Sequence, residues 1–145
     1  MPLPPELAAL IDRTAATYKL DSGLLAAQVQ VESSGDPWAF RYEPAYFKKY
    51  IQSNPDAKGF QYGPLAACSY GLLQILLETA LELGFDDRPE RLFIPQVGIS
   101  WGAKYLQKCL RRSHGDYKLA LAAYNGSGSA ATAYAEKVYT VAGRV

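Results

Sequence analysis

Apolar residues recur at intervals of three and four along most of this chain, and glycine, proline or an Asn-Gly pair interrupts each series. One series covers residues 7–18 and the next covers residues 22–32. This period places apolar side chains along one face of a helix. No run of alternating residues predicts a sheet. The sequence therefore predicts an all-α fold.

The second predicted helix carries the most informative end. Asp21 and Ser22 are residue types that cap a helix N-terminus, and Gly35 and Pro37 are types that end a helix. Glu32 consequently falls in the last helical turn. Further helices are predicted from Ser69 to Gly84, from Pro95 to about His114, from Asp116 to Asn125, and over residues 128–140.

Residues 36–67 differ in composition from the rest of the chain. Eight aromatic residues lie among prolines and glycines there. We expect a long aromatic loop segment that includes one short helix over residues 44–52.

Length and charge limit the possible functions. The 145 residues suffice for one hydrophobic core, so residues 1–145 are predicted to form a single domain. A net charge of +1 gives no electrostatic footprint for nucleic acid. Two distant cysteines and a single histidine do not form a zinc-binding pattern, so no metal is predicted. We expect a monomer with no cofactor.

The amino terminus lacks the basic and apolar segments of a secretion signal, and no stretch reaches the length of a membrane span. We therefore expect synthesis in the cytoplasm, without membrane insertion. Action elsewhere would require lysis, a larger assembly, or a signal that has been trimmed. Cys68 and Cys109 are expected to be separate thiols, and a single disulfide between them is the alternative.

Polar residues interrupt apolar helix ends in four segments: VESS at 31–34, RYEP at 41–44, SYGLLQI at 69–75 and AAYNG at 122–126. The order of Glu-Ser, Gly-Leu-Leu-Gln and Ala-Tyr-Asn-Gly resembles the soluble (SLT-type) lytic transglycosylase family. Members commonly carry ES, GLMQ and AYNxG. The segment WAFRYEP is similar to a phage-associated branch, which would include endolysins.

The resemblance implies a lysozyme-like (goose-type/SLT) fold and cleavage of bacterial peptidoglycan at the bond between N-acetylmuramic acid and N-acetylglucosamine. It also implies that Glu32 serves first as acid and then as base, closing a 1,6-anhydro ring without water. The site of action would be the cell wall, in the periplasm or outside the cell.

Glu32 suits this role on physical grounds. An acid that is protonated near neutral pH needs surroundings that raise its pKa. The negative end of a helix dipole and neighbouring aromatic rings act in that direction. The competing interpretation is an exposed surface acid.

A hydrolase would need a second carboxylate, about 5 Å away for retention or about 6.5–9.5 Å for inversion. Candidates are Glu43, Asp36 and Glu78, of which only Glu43 lies in a motif. Glu43 is a candidate for substrate binding or for positioning water, and the alternative is a structural ion pair with Arg41. A muramidase and a non-catalytic, glycan-binding or structural phage component remain alternatives.

Five further residues are candidates for substrate binding. Gln74 offers a donor and an acceptor, and Gly71 permits close approach to the backbone. Tyr124 is expected near Glu32, although it is also a candidate core aromatic. Asn125 either contacts sugar or simply ends its helix, and Ser69 is a weaker candidate for holding substrate.

Overall fold

The computed structural model describes residues 2–145. Its α-helices are α1 (Pro5–Tyr18), α2 (Ser22–Ser33), α3 (Pro44–Tyr46), α4 (Leu77–Glu82), α5 (Pro95–Arg112), α6 (Tyr117–Asn125) and α7 (Gly128–Val141). A π-helix covers Phe47–Ile51, and 3₁₀ helices cover Phe60–Ala67 and Pro89–Phe93. The strands are β1 (Phe40–Tyr42), β2 (Cys68–Tyr70) and β3 (Ile75–Leu76).

The chain divides into two compact units. Unit 1 comprises Met1–Gly35 and Ala103–Val145, and unit 2 comprises Asp36–Gly102. The expectation of a single domain over residues 1–145 stays a prediction.

Unit 1 is built from packed helices. Helix α2 packs against α1 and α7, and α6 packs against α7. The Asp21 side chain caps α2 by accepting from Leu24 N at 3.0 Å, and the Arg144 guanidinium donates to both of its carboxylate oxygens at 2.7 and 2.8 Å. This bidentate pair lowers the pKa of Asp21 and joins the start of α2 to the end of the chain.

Unit 2 contains a small antiparallel sheet in the order β1-β2-β3. Phe40 lies opposite Tyr70, and Ser69 lies opposite both Arg41 and Leu76. Beside the sheet, Tyr46 and Phe47 pack against a buried cluster formed by Ile51, Ala66 and Ala67.

The helix predicted from Ser69 to Gly84 is wrong in its first half, and so is the expectation that the chain has no sheet. Ser69 lies in β2, a turn follows at Gly71, and α4 begins only at Leu77. Gly71 and Gln74 have φ angles of +74° and +47°, which a right-handed helix does not accommodate. Strands of two and three residues are too short to produce a visible alternation in sequence.

Close backbone packing fixes this turn. A Cβ atom at Gly71 would lie 2.8 Å from the Leu92 carbonyl oxygen, and one at Gly98 would clash with the same atom. Gly71 N also donates to Ala39 O at 2.8 Å. The glycine of the GLLQ motif therefore serves the packing of unit 2.

The other helix predictions are confirmed within a few residues. Helix α2 ends at Ser33, α5 runs from Pro95 to Arg112, and the Asp116 side chain caps α6. The short helix predicted over residues 44–52 is present as α3 and the π-helix. Strand β1 and the 3₁₀ helix Phe60–Ala67 add regular structure that the expected loop segment did not include. Cys68 and Cys109 are buried free thiols whose pKa values burial raises.

Glu78 is a buried carboxylate that holds the aromatic segment to α4. It is 4% exposed, and its two oxygens accept from Lys58 N at 3.0 Å and from Gly59 N at 2.6 Å. Because these two backbone hydrogen bonds compensate for the burial of the carboxylate, a structural role accounts for the position of Glu78.

We predict that Glu78→Ala lowers the free energy of unfolding by about 2–4 kcal/mol, because it leaves two buried N–H groups without their acceptor. Glu78→Gln should cost less, since its amide oxygen retains one acceptor. Glu90→Ala is the control: its exposed ion pair with Arg88 should contribute less than about 1 kcal/mol. Chemical denaturation of the three variants measures this, and equal losses for Glu78→Ala and Glu90→Ala would refute it.

Candidate active site

Glu32 lies where helix α2 ends, as the sequence predicts. Ser34 adopts the left-handed conformation with φ of 53°, and its N–H donates to Gln30 O at 3.0 Å. Gly35 follows with φ of 81° and turns the chain away. The Glu32 side chain is partly exposed, so it is accessible to a ligand while being held at a helix end.

Tyr134 is the functional candidate that the sequence analysis missed. Its hydroxyl donates to Glu32 Oε2 across 2.8 Å, although 102 positions separate the two residues. Tyr134 lies on α7, which packs against α2. Its segment, ATAYAEKVY, has the pattern of an ordinary amphipathic helix and matches none of the family motifs, so no local signal in the sequence indicates this contact.

Tyr124 lies one residue before the end of α6, also within unit 1. Its ring packs on that of Tyr105 with centroids 5.0 Å apart. Burial raises the pKa of Tyr124 well above its usual value, and the nearby charge of Glu32 adds to the effect. Tyr124 and Glu32 thus interact electrostatically, while a role of Tyr124 in binding substrate stays a prediction.

The same two causes, burial first and Glu32 second, raise the pKa of Tyr134. Both phenols therefore remain protonated across the pH range in which proteins function. A neutral phenol can donate a hydrogen bond to a neighbouring carboxylate without adding a charge to the site. The site can stabilise a carboxylate on Glu32 without introducing a cation.

Asn125 is the last residue of α6 and is exposed. Gly126 follows with φ of 150° and ends the helix. Both interpretations of Asn125 are compatible with this position, and its contact with substrate stays a prediction.

Ser69, Gly71, Gln74 and Glu43 belong to unit 2. Gln74 Nε2 donates to Ala39 O and to Gly71 O, each at 3.0 Å. The amide nitrogen of Gln74 thus fastens the turn to the segment that precedes β1. Substrate contact by Ser69, Gly71 and Gln74 stays a prediction. Because the Gln74 amide nitrogen already donates two hydrogen bonds, a contact of Gln74 with substrate would use its amide oxygen.

Each of the three alternative carboxylates has a structural partner in unit 2. Glu43 Oε1 lies 3.0 Å from Arg41 Nε, as the structural interpretation of Glu43 predicts. Asp36 Oδ1 accepts from Trp38 N at 2.9 Å, and Glu78 is bound by backbone donors. A substrate role for Glu43 stays a prediction.

Over residues 2–145, no group of three or more His, Cys, Asp or Glu side chains is arranged to hold a metal ion. Within that same range, none of the helices combines the length and the apolar character that spanning a membrane requires.

Comparison with known proteins agrees with the sequence motifs. The family described as Transglycosylase SLT domain matches residues 9–144, nearly the whole chain. The chain belongs to this family. No curated protein matches this chain in sequence.

Among solved structures, the SLT chain is similar to the lytic transglycosylase Slt from Pseudomonas aeruginosa, crystallised as an inactive mutant in which glutamine replaces a glutamate. The TM-score is 0.68 at 21% sequence identity, and the match covers 92% of this chain. It covers 23% of the Slt chain. The likeness confirms the predicted lysozyme-like SLT fold.

We predict that Tyr134→Phe lowers the free energy of unfolding by about 1–3 kcal/mol, because it removes a hydrogen bond to an ionisable carboxylate and leaves the ring in place. Tyr139→Phe, on the same helix, is the matched control and should change stability by less than about 0.5 kcal/mol. Thermal and urea unfolding of both variants provide the measurement. Indistinguishable stabilities would mean that the Tyr134–Glu32 bond contributes nothing.

Proposed function

We propose that this chain is a peptidoglycan lytic transglycosylase that uses Glu32 as its single acid and base. Membership of the SLT family supports the activity, and the 2.8 Å bond from Tyr134 to Glu32 carries the assignment of the acid. In the similar Slt enzyme, an inactive mutant has one glutamate replaced by glutamine, which supports a glutamate as the essential group in this fold.

The first step is cleavage of the bond between N-acetylmuramic acid and N-acetylglucosamine. Glu32 donates its proton to the linking oxygen, and the N-acetylglucosamine side departs as an alcohol. The acetamido group of the muramic acid stabilises the cationic C1. Tyr134 then donates to a newly formed carboxylate, and a hydrogen bond to a charged acceptor is stronger than one to a neutral acceptor. The Tyr134 phenol thus favours the state that follows proton donation.

In the second step, Glu32 removes the proton from the C6 hydroxyl of the muramic acid, and that oxygen attacks C1. A 1,6-anhydro ring closes, the acetamido group is released, and Glu32 regains its proton. No water and no second carboxylate take part. The structural partners of Asp36, Glu43 and Glu78 favour this one-acid mechanism over hydrolysis.

Substrate binding is assigned to Gln74, Asn125, Ser69 and Gly71, with Tyr124 beside the acid. The substrate is the glycan strand of the bacterial cell wall, and the chain acts as a monomer without cofactor. We also propose that the chain comes from a phage or a larger assembly. Lysis, or that assembly, would then deliver it to the cell wall.

The mass of the products tests the type of reaction. Digestion of purified sacculi should release muropeptides that are lighter by one water than the products of a muramidase, because the anhydro ring replaces a reducing end. Products that all carry reducing ends would establish hydrolysis instead, and loss of activity in Glu43→Gln would then assign the positioning of water to Glu43.

Glu32→Gln tests the acid. The substitution preserves shape and removes the titratable proton, so the rate of muropeptide release should fall by about 10²-fold to 10⁴-fold while binding to sacculi is retained. Glu136→Gln, at an exposed position on α7, is the control and should keep full activity. If wild-type protein binds sacculi and releases nothing, the chain is a glycan-binding component; equal activity of Glu32→Gln and wild type would remove Glu32 from the mechanism.

A further inference from the structure

Gln28 is a buried polar residue whose amide lacks a hydrogen-bond partner. The side chain is fully buried, and neither Nε2 nor Oε1 is bonded. Thr14 and Glu78, the other buried polar residues of the described chain, are both satisfied: Thr14 donates to Leu10 O at 2.7 Å, and Glu78 accepts two backbone donors. An unpaired buried amide is unfavourable, so its presence calls for a specific explanation.

The position of Gln28 provides one. It lies four residues before Glu32 on α2, which places both side chains on the same face of the helix, one turn apart. Burial and the charge of Glu32 raise the pKa of Tyr134, and Gln28 opposes them by lowering it, although no hydrogen bond of normal length and angle joins the two side chains. Gln28 and Glu32 therefore both act on the Tyr134 hydroxyl.

Donor and acceptor chemistry fixes the direction of the interaction. The single hydroxyl proton of Tyr134 is donated to Glu32 Oε2, so the phenol oxygen can only accept from a further partner. Gln28 Nε2 is a donor that cannot accept. In unliganded enzymes, hydrogen bonds of this kind are often long or poorly aligned and tighten once substrate is bound.

We propose that Gln28 is a positioning residue that donates from its amide nitrogen to the Tyr134 hydroxyl oxygen and so keeps the Tyr134 proton directed at Glu32 during turnover. The inference rests on the proposed function of Glu32. In the resulting chain, Gln28 to Tyr134 to Glu32, each hydrogen bond polarises the next. The chain is of greatest benefit when Glu32 has given up its proton.

A double-mutant cycle tests the proposal. Gln28→Leu should lower kcat on a soluble peptidoglycan fragment by about tenfold and change KM by less than about twofold, because the residue does not touch substrate. In a Tyr134→Phe background the same substitution should change kcat by less than about twofold, since the hydroxyl that it serves is already absent. Gln30→Leu on the same helix is the matched control and should leave both constants unchanged.

A second measurement does not depend on activity. The ¹³Cζ resonance of labelled Tyr134 reports the hydrogen bonds of its phenol oxygen, and it should shift in Gln28→Leu and stay in place in Gln30→Leu. Should Gln28→Leu fail to fold by circular dichroism, Gln28→Met replaces it, because methionine keeps the length of the side chain without the amide.

The outcomes separate the two proposals. Inactive wild-type protein would overturn the proposed function, while the ¹³Cζ shift would still decide the contact. Active wild type together with unchanged kcat in Gln28→Leu would overturn the positioning role. So would an equal loss in the wild-type and Tyr134→Phe backgrounds, because the effect would then not pass through Tyr134.

Discussion

The hydrogen bond from Tyr134 to Glu32 joins the end of α2 to the middle of α7, and the proposed chemistry depends on it. A glutamate at a helix end is usually free to turn into solvent, where it has no preferred orientation. Here a phenol held by the packing of α7 against α2 fixes one carboxylate oxygen. The cost of ordering the Glu32 side chain is thus met during folding, before any substrate arrives.

Unit 2 contributes motif residues whose first role in this structure is to shape backbone. Gly71 has no side chain because the Leu92 carbonyl occupies the space, and Gln74 uses its amide nitrogen on two neighbouring carbonyls. The segment that precedes β1 is held by both residues, through Ala39 O. Residues that are read from a sequence as candidate substrate contacts can therefore also be the ones that fix the local backbone.

The electrostatic pattern is consistent with a single acid. Asp36, Glu43 and Glu78 are each engaged with a structural partner in unit 2. In unit 1, burial and then the charge of Glu32 raise the pKa of both Tyr124 and Tyr134. Because its phenol stays neutral, Tyr134 can donate its hydrogen bond to Glu32 in both charge states of the carboxyl group. The amide of Gln28, one helical turn from Glu32, is a further polar group close to this pair in sequence, and it is buried in the interior of unit 1.

The sequence by itself determined the helices of unit 1, the place of Glu32 in the last turn of α2 and the SLT resemblance, because periodicity, caps and helix-ending residues act over a few neighbouring positions. It failed at Ser69, where the spacing of Leu72, Leu73, Ile75 and Leu76 predicts a helix that positive φ angles and strand pairing prevent. Only the tertiary structure decided the contact of Tyr134 with Glu32, the two backbone donors on Glu78 and the bond from Gln74 to Ala39 O. Each of these bonds joins residues that are distant along the chain, and no local pattern records which distant donor will meet which acceptor.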